Sequence, residues 1–581
     1  MPESRMRALF GRRFYRQLWH LTRVYWTSSD APAGAGLLGL AIAFEIGSVY
    51  GTVWLAEVQR QLFDAMQSKQ AEAFFAAAAL SLGLVLAFLV ISTYRIYVRQ
   101  VLEIRWRRWL TDYFLGRWMG SGAYYRMQIH EKETDNPDQR IAEDVRDYVA
   151  SALGLSLSLL AAVVTLVWFL GMLWRLSGEW HFRFRGAEFE IPGLMVWVAL
   201  LYSGASTWVT HRVGRRLVPI NFDQQRYEAD FRYCLVRFRE NVEAVALSDG
   251  EEGERRSALG AFRHVVANWG RLIRAQRNLS LFTTGFSQAN GLVPLLVAAP
   301  GFFLGRLSLG AVMQTNIAYG QVSSALTWFV NAYVEIARWR ASVERLFSFS
   351  EAIEQTEAIA DGIQFVRTAE PVLRLADLRV ALPRGRLLLD GVNGAIAAGE
   401  RVVVTGPSRS SKTTLFRVFA GIWPFGRGRV ELPEKGKMLF LAQQPYLPIG
   451  TLRAAASYPS PEGAFPDERI REALQLLELG DFAGRLDESE HWEQHMSSDE
   501  QQRLALARVL IQEPDWIFLD EATSALDDAM EERVYELIEE RLPRATVVSV
   551  PHRPGVEQFH QRRWTIVPHD GAATIEMTQA G

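Results

Sequence analysis

Cysteine is almost absent from this chain of 581 residues, because Cys234 is the only one. A single cysteine excludes an intramolecular disulfide and argues against a cysteine-built metal site. An excess of charge of either sign is also lacking, since 63 lysine and arginine residues face 65 aspartate and glutamate residues. With 49% hydrophobic and 12% aromatic residues, this balance excludes a nucleic-acid binder and a disordered protein. The length predicts more than one domain.

A cleavable signal segment is lacking as well. Basic residues interrupt the apolar residues of positions 1–30, so no hydrophobic region of adequate length exists there. These basic residues are Arg12, Arg13, Arg16, His20 and Arg23. Opposite them, apolar residues recur at helical spacing, namely Phe14, Leu18, Leu21 and Tyr25. The pattern predicts an amphipathic helix on the cytoplasmic membrane surface, and an ordinary solubilising helix is the alternative.

Long apolar segments are plentiful in the first 340 positions. A segment that crosses a hydrocarbon core of about 30 Å needs about twenty residues. Six candidates lie at 35–56, 73–97, 151–175, 193–212, 280–305 and 311–337. The last two are the weakest, because Pro294, Pro300 and several polar residues interrupt them. A soluble helical core is the alternative, but the segregation of charge between the segments argues against it.

Arginine is concentrated in two of the connections, 98–150 and 213–277, whereas 57–72 and 306–310 are short and carry few cations. The positive-inside rule therefore predicts that both termini lie in the cytosol. Residues 178–192 alternate apolar and polar side chains around Arg185-Gly186. This alternation predicts a small hairpin on the outer face of the membrane.

The pattern changes after about residue 350. A polar stretch at 351–370 predicts a linker, and from Pro371 short β-branched runs alternate with helical ones. This alternation predicts an α/β domain with a central, mostly parallel sheet. The best strand candidates are Leu373–Val380, Arg401–Val404, Lys437–Leu441 and Trp516–Leu519.

A phosphate-binding loop is indicated between a buried strand at 402–405 and a helix that starts at Lys412. The segment reads Gly406-Pro407-Ser408-Arg409-Ser410-Ser411-Lys412-Thr413-Thr414 and follows G-x-x-x-x-G-K-[ST], except that Ser411 replaces the second glycine. Backbone N–H groups and a helix N-terminus would face the phosphates. We expect Lys412 to reach the β- and γ-phosphates and Thr413 to contact Mg²⁺. The candidate nucleotide-binding residues here are Gly406, Ser408, Arg409, Ser410, Ser411, Lys412, Thr413 and Thr414.

An acidic pair follows the strand candidate 516–519. At the end of a buried strand, Asp520 is placed to hold Mg²⁺, and Glu521 is placed to polarise an attacking water. Each pattern alone has a simpler explanation, either a plain strand–turn–helix connection or a surface acidic pair. Their joint occurrence in this order favours an ATPase.

The run Leu519-Asp520-Glu521-Ala522-Thr523-Ser524-Ala525-Leu526-Asp527 resembles a very specific signature of ATP-binding-cassette (ABC) ATPases. Further positions are similar to the same family. Gln443 stands at its Q-loop, where it would act in catalysis and join Thr413 and Asp520 at the metal, and His552 stands at its switch histidine. Met496–Arg503 is similar to its signature, and the resemblance implies that Ser497 of one cassette faces the ATP bound by Lys412 of another. A dimer is therefore implied.

The membrane half resembles a narrower group, on Asn136–Ile141 and Arg105–Leu110. It is similar to the SbmA/BacA-type bacterial transporters and the peroxisomal fatty-acyl (subfamily D) transporters. The resemblance implies a half-transporter in a bacterial inner membrane, with its ATPase in the cytoplasm. It implies six transmembrane helices of the exporter type followed by an α/β P-loop ATPase. We predict four parts: an amphipathic segment at 1–30, a transmembrane domain at 31–350, a linker at 351–370 and a nucleotide-binding domain at 371–581.

Glycine is missing where this family usually has it. Ser411 and Arg409 replace glycines of the phosphate loop, Ser498-Asp499 lie in the signature, and Pro551 precedes the switch histidine. A positive φ at Ser411 would cost roughly 1–2 kcal/mol. A carboxylate about 4 Å from a γ-phosphate would be repelled by about 4 kcal/mol at an effective dielectric of 20. We therefore predict that ATP binds but is hydrolysed slowly; relaxed loops with ordinary activity are the alternative.

Two functions remain open. The first is an ATP-dependent transporter of a large amphipathic solute (peptide, cobalamin or acyl-type), working as a homodimer or with a second half-transporter. The second is a proton-gradient-driven carrier with a vestigial or regulatory cassette. Glu45 lies near the middle of the first apolar segment, and a buried ionisable group there predicts a cavity or proton-linked role. A soluble ABC ATPase is excluded by the apolar segments. Residues 123–141 and 245–255 are candidates for docking on the cassette.

Overall fold

The computed structural model describes residues 12–130, 136–177, 179–184, 187–358, 362–383, 385–407, 411–569 and 571–579. The chain forms two compact units. The first comprises Met1–Phe114 and Asn136–Ser348, and the second comprises Leu115–Asp135 and Phe349–Gly581.

Long helices dominate the chain up to residue 358. In order they are α1 Arg12–Trp26, α2 Ala31–Gln67, α3 Ala71–Met119, a 3₁₀ turn Gly120–Gly122, α4 Ala123–His130, α5 Pro137–Ser177 with a π-helical turn at Arg140–Asp144, α6 Leu194–Gly214, α7 Leu217–Glu240, α8 Val242–Leu247, α9 Glu251–Phe303, α10 Leu309–Leu326 and α11 Trp328–Ala358. Among the described residues, four helices are long and apolar enough to cross a membrane, namely α2, α3, α5 and α9.

The fourth and sixth predicted spans also fall on helices. The fourth, 193–212, matches α6, but the sixth, 311–337, is divided because α10 ends at Leu326 and α11 begins at Trp328. At the break, the Thr327 hydroxyl donates to the carbonyl oxygen of Ser323 at 3.0 Å. Such back-bonding of a threonine bends helices. The count of six spans stays a prediction.

The predicted hairpin at 178–192 is confirmed. Strand β1, Glu179–Phe184, pairs antiparallel with β2, Ala187–Pro192, so that Glu179 faces Pro192 and Phe184 faces Ala187. The predicted turn Arg185-Gly186 lies outside the described residues. Its location on the outer face of the membrane stays a prediction.

The apolar face of α1 is covered by protein. Leu21 and Tyr25 are buried, Tyr25 stacks on Trp106 of α3 at 5.4 Å, and Phe14 meets Trp339 of α11 edge-on at 5.8 Å. The predicted helix is therefore present, but the side expected to face the membrane packs inside the first unit. Sequence periodicity reveals an apolar face and does not reveal what covers it.

A close approach joins the end of α2 to the start of α10. The backbone N–H of Gly310 donates to Asp64 Oδ1 at 2.9 Å, and Gln314 Nε2 donates to Glu57 Oε2 at 2.8 Å. A Cβ at Gly310 would lie 2.1 Å from the carbonyl oxygen of Arg60. Only glycine fits at this contact, so a larger residue at position 310 would push α2 and α10 apart.

Glu45, predicted to have a cavity or proton-linked role, is paired within the first unit. The residue is buried, and Arg95 of α3 donates to its Oε2 at 3.1 Å. A charge in a low-dielectric interior is tolerated when an opposite charge compensates it. The pair thus ties α2 to α3 in the apolar part of the unit.

Replacing Glu45 with glutamine is expected to lower the melting temperature of the purified protein, because Arg95 loses its counter-charge. Breaking a buried pair costs about 3–5 kcal/mol. The Arg95 side chain is 34% exposed, so we expect about 1–3 kcal/mol. Thermal unfolding in one detergent measures the change. The double variant Glu45→Gln/Arg95→Gln should recover part of the loss, and Glu240→Gln, at the exposed end of α7, should be neutral. Strictly additive single effects would contradict the pairing.

The second unit contains the strands and helices after residue 358. The strands are β3 Gln364–Thr368, β4 Val372–Ala381, β5 Leu387–Ala397, β6 Arg401–Thr405, β7 Gly426–Pro433, β8 Met438–Leu441, β9 Gly450–Thr451, β10 Ser489–Glu490, β11 Trp516–Asp520, β12 Thr546–Val550, β13 Arg562–Pro568 and β14 Ala573–Gln579. The helices are α12 Lys412–Phe419, α13 Leu452–Ser457, α14 Asp467–Leu476, α15 Trp492–His495, α16 Ser498–Gln512 and α17 Asp528–Arg541, with 3₁₀ turns at Gly480–Phe482 and Pro554–Phe559.

Ten of these strands form one mixed sheet in the order β3-β7-β4-β5-β14-β13-β6-β12-β11-β8. The strands β13, β6, β12, β11 and β8 run parallel to their neighbours in that order. By contrast, β4 pairs antiparallel with β5 and β7. The predicted parallel sheet is correct for the first group, and an antiparallel part is added to it. The carboxyl ends of β6, β12 and β11 consequently meet at one edge.

The segment 351–370, predicted as a linker, contains regular structure at both ends. Helix α11 continues to Ala358, and β3 at Gln364–Thr368 pairs parallel with β7 at the edge of the sheet. The polar residues at 364–368 fit an edge strand with partly exposed side chains. Polarity alone does not distinguish such a strand from a linker.

Helix α4, within the first predicted docking segment, belongs to the second unit. Tyr125 and Ile129 pack against the apolar core around β4, β5 and α12, and Arg126 donates to the carbonyl oxygen of Thr356 at 3.2 Å. The start of that segment thus contacts the cassette of its own chain. The other segment, 245–255, belongs to the first unit, and its docking stays a prediction.

Candidate functional site

The phosphate loop begins where β6 ends. Gly406 has φ = +155°, and a Cβ there would lie 3.0 Å from Ile566 Cβ and 3.1 Å from the Ile566 carbonyl oxygen. Lys412, the first residue of α12, donates from Nζ to the carbonyl oxygen of Gly406 at 3.1 Å. The Lys412 side chain therefore lies at the start of the phosphate loop, close to where the lysine of such a loop reaches the β- and γ-phosphates. The predicted contacts Ser408, Arg409 and Ser410 lie outside the described residues.

Ser411 is not strained. Its φ is −73° at the N-cap of α12, and its hydroxyl donates to the carbonyl oxygen of Leu388 at 3.4 Å. The cost predicted for a positive φ therefore does not arise, and that part of the expected defect is wrong. A side chain is accommodated because the buried Ser411 faces β5.

Replacing Ser411 with glycine is accordingly expected to change ATP turnover by less than about twofold, since a negative φ suits most residues. Steady-state ATPase activity of the reconstituted protein measures this. A large gain in turnover would mean that the Ser411 side chain itself obstructs the nucleotide.

Thr413 and Asp520 meet across the loop. The Thr413 hydroxyl donates to Asp520 Oδ1 at 3.4 Å, although the two residues come from α12 and β11. Burial raises the pKa of Asp520, the Thr413 hydroxyl opposes this rise, and the neighbouring Glu521 carboxylate adds to it. A hydroxyl and a carboxylate are oxygen ligands that suit Mg²⁺, and a cation there would favour the ionised form of Asp520. The donor set therefore fits the predicted metal.

Glu521 and His552 lie close together after β11 and β12. His552 Nδ1 is 4.0 Å from Glu521 Oε2. Glu521 has φ = +51° and its N–H donates to the carbonyl oxygen of Val550 at 3.0 Å. Non-glycine residues in this backbone region are costly and concentrate at functional sites. Pro551 does not prevent the switch histidine from reaching the acidic pair.

Ser497 caps α16 and is engaged by two carboxylates. Its hydroxyl donates to Asp499 Oδ1 at 2.6 Å and accepts from the N–H of Glu500 at 3.4 Å, and its own N–H donates to Glu500 Oε2 at 2.8 Å. This is the reciprocal capping box of a helix N-terminus. The hydroxyl expected to face a nucleotide is therefore already bound within its own chain.

Asp499 is paired with Arg503, one helical turn further on, at 2.6 Å. The Ser497 hydroxyl and the Arg503 guanidinium hold the pKa of Asp499 below its usual range. The carboxylate is thus ionised, but its charge is partly compensated. The spacing of four residues on a helix is a signal from which sequence reasoning could have found this pair.

Gln443 follows β8 and is exposed. Its backbone carbonyl oxygen accepts a hydrogen bond from Gln502 Nε2 at 2.8 Å. Sequence reasoning missed Gln502, and also Arg553, which follows the switch histidine. Gln502 lies within the stretch Met496–Arg503 and Arg553 follows His552, but their bonding partners come from other segments and cannot be read from the sequence.

The structure thus brings Thr413 to Asp520 and Glu521 to His552 at the carboxyl edge of the parallel strands, and it links Gln443 to α16. A strand, a phosphate loop with its lysine, an acidic pair and a switch histidine define a P-loop ATPase. Residues 389–524 match the family model described as ABC transporter, and residues 21–303 match the model described as ABC transporter transmembrane region 2. A membrane domain and an ABC ATPase fused in one chain form an ABC half-transporter.

Similar proteins place the chain in a narrower group of ABC half-transporters. The inner membrane ABC transporter ATP-binding protein YddA of Escherichia coli (strain K12) is 32% identical over 540 residues, which cover 92% of this chain and 94% of the relative. ABC transporter D family member 2, chloroplastic, of Arabidopsis thaliana is 28% identical over 620 residues, with 94% and 85% covered. The chain belongs to the ABC transporter family, among the half-transporters of the YddA and subfamily D type. It is an ATP-hydrolysing, membrane-spanning transporter subunit of a family whose half-transporters work as dimers.

A solved structure confirms the fold class. The structure of a bacterial Atm1-family ABC exporter with ATP bound superimposes with a TM-score of 0.70 and covers 93% of this chain and 95% of that chain, at 18% identity. The predicted exporter-type fold, a helical membrane domain followed by an ABC ATPase, is therefore correct.

Proposed function

We propose that this chain forms a homodimeric transporter of the bacterial inner membrane that uses ATP to move a large amphipathic solute, such as a peptide, cobalamin or an acyl compound. Its hydrolysis is slow. The observation that supports slow hydrolysis lies in the first turn of α16, Ser497–Glu500, called the signature turn. There the Ser497 hydroxyl donates to the ionised Asp499 at 2.6 Å. ATP sandwiched between two cassettes would have to displace that contact.

The nucleotide contacts divide between a loop and a helix. Lys412 binds the β- and γ-phosphates, and the backbone N–H groups at the N-terminus of α12 face them. Ser497 of the partner subunit completes the site. In a homodimer both composite sites carry the same Asp499, so neither site escapes its repulsion. A heterodimer with a second half-transporter would restore one intact site.

The residues that act on the reaction lie at the edge of the sheet. Thr413, Asp520 and Gln443 would hold Mg²⁺, which neutralises charge on the phosphate oxygens when it is bound. Glu521 polarises the attacking water and accepts its proton. His552 lies 4.0 Å from Glu521 and orients that carboxylate.

The second candidate function is a carrier driven by a proton gradient, and the Glu45–Arg95 pair favours it. An ionisable group inside a membrane helix marks proton or ion pathways in many transporters. In this case the cassette would regulate transport rather than drive it.

Transport into inverted proteoliposomes distinguishes the two candidates. The probes are a fluorescent amphipathic peptide, cobalamin and an acyl-CoA, each offered with ATP or with an imposed pH gradient. Uptake that needs ATP and stops with vanadate supports the proposal. Uptake that persists with vanadate and stops when the gradient is dissipated supports the carrier. Rapid ATP turnover by the unmodified protein would contradict slow hydrolysis.

A further inference from the structure

The segment Ser524–Asp527, which begins three residues after Glu521 of the acidic pair, is held from two sides by side chains of other elements. One is Gln502 on α16, and the other is Arg553, which comes immediately after the switch histidine. This segment is called the D-loop below. Both side chains bond to its backbone, and Gln502 also bonds to the Ser524 hydroxyl.

Gln502 joins the D-loop to the loop of Gln443. The side chain is buried, and Nε2 donates to the Gln443 carbonyl oxygen at 2.8 Å and to Ser524 Oγ at 3.1 Å. Its Oε1 accepts from the N–H of Ala525 at 2.8 Å. One buried amide therefore bonds two loops that are far apart in sequence.

Arg553 joins the D-loop to the loop of His552. Its Nη1 donates to the carbonyl oxygen of Leu526 at 2.9 Å and to Asp528 Oδ1 at 2.7 Å. The same guanidinium is 3.9 Å from Glu531, whose Oε1 accepts from the Thr523 hydroxyl at 2.5 Å. The segment from 523 to 528 is thus fixed to the residue that follows the switch histidine.

These bonds also help to fix the position of Glu521, because the N–H of Ser524 donates to the Glu521 carbonyl oxygen at 3.1 Å. We propose that Gln502 and Arg553 are positioning residues, which hold the D-loop and thereby fix the Glu521 carboxylate relative to Gln443 and His552. The proposal rests on the proposed role of Glu521. A displacement of about 1 Å at a reacting group can cost about 10²-fold in rate.

A second buried glutamine on the same helix provides a matched control for Gln502. Gln512, at the end of α16, donates from Nε2 to the carbonyl oxygens of Ser457 and Tyr458 at 3.2 and 2.8 Å. These carbonyls are consecutive in one segment, and neither belongs to the loop of Gln443, the D-loop or the loop of His552. Gln502 and Gln512 are therefore matched in residue type, helix and burial, and they differ in what they connect.

The test compares the two glutamines in the reconstituted full-length protein. Gln502→Ala is expected to lower kcat for ATP by about 10- to 100-fold with KM changed less than about twofold, whereas Gln512→Ala lowers the melting temperature and leaves kcat within about twofold. If both variants lower kcat equally, or if Gln502→Ala leaves kcat unchanged, the proposal is wrong. Should Gln502→Ala not fold, Gln502→Glu keeps the side-chain size and the acceptor for Ala525, and the same loss of kcat is expected.

A double variant tests whether the two residues act through the same segment. Gln502→Ala/Arg553→Met should be no more than about threefold slower than the slower single variant, because interacting sites are not additive. If the rate losses of the two single variants multiply in the double variant, the two residues do not act through the D-loop together. Rates are taken from single turnovers of bound ATP, so a slow wild type does not hide the ratio. Glu521→Gln is measured alongside and tests the proposed role of Glu521 separately. If this variant stays active, that role is wrong, whatever the result for Gln502→Ala.

Discussion

Replacing Glu521 with glutamine lowers ATP hydrolysis by about 10²- to 10⁴-fold, the usual contribution of a general base, and leaves ATP binding unchanged. Glutamine keeps the size of the side chain and removes the proposed proton acceptor, which lies 4.0 Å from His552 Nδ1. Single-turnover hydrolysis measures the loss, and binding of a fluorescent ATP analogue measures affinity.

The control is Glu540→Gln, which makes the same chemical change on an exposed position of α17 and should leave the rate within about twofold of wild type, as surface substitutions usually do. A Glu521→Gln protein that hydrolyses ATP at the wild-type rate would show that another group accepts the proton. Loss of ATP binding together with hydrolysis would instead indicate that Glu521 organises the pocket and is not the base.

Replacing Asp499 with asparagine is expected to raise ATP turnover by about tenfold, because the signature turn loses the charge proposed to repel the γ-phosphate. Asparagine retains an oxygen that accepts from the Ser497 hydroxyl, so the cap of α16 is preserved. The full repulsion is reduced in the native protein, because Arg503 lies 2.6 Å from Asp499. We therefore expect a moderate gain, read from steady-state ATPase activity in lipid vesicles.

Asp487→Asn is the matched control, because Asp487 is also an exposed aspartate paired with an arginine, Arg453, outside the signature turn. This variant should not change turnover. If Asp499→Asn also leaves turnover unchanged, the carboxylate is fully compensated by Arg503, and the slow step has another origin. A gain in both variants would point to a general effect of surface charge.

The fold could be predicted from the sequence where the signal is local. The hairpin around residues 179–192, the strands at 401–405 and 516–520, and the helix from Lys412 all follow from alternation or from a loop between a strand and a helix. The division at Thr327 and the edge strand β3 could not be predicted, because a bend in an apolar helix and a half-exposed strand leave no distinct pattern of composition.

Ser411 and Asp499 show why a missing glycine is not by itself a defect. From the sequence alone both substitutions predict impairment, one by backbone strain and one by charge. The backbone of Ser411 has φ = −73°, so only the charge argument survives. The conformation of a loop residue depends on the strand beneath it, here β5, which receives the Ser411 hydroxyl.

The sequence by itself determined the class of this protein: apolar segments of membrane-spanning length, a phosphate loop and an acidic pair in the order of an ABC half-transporter. Each of those features lies in a contiguous run of residues, so it can be recognised from the sequence without the tertiary structure. Only the tertiary structure decided that Glu45 pairs with Arg95, that α1 is covered by α3 and α11, and that Gln502 and Arg553 hold the D-loop. These contacts join residues distant in the chain, and their partners are chosen by packing rather than by any local pattern.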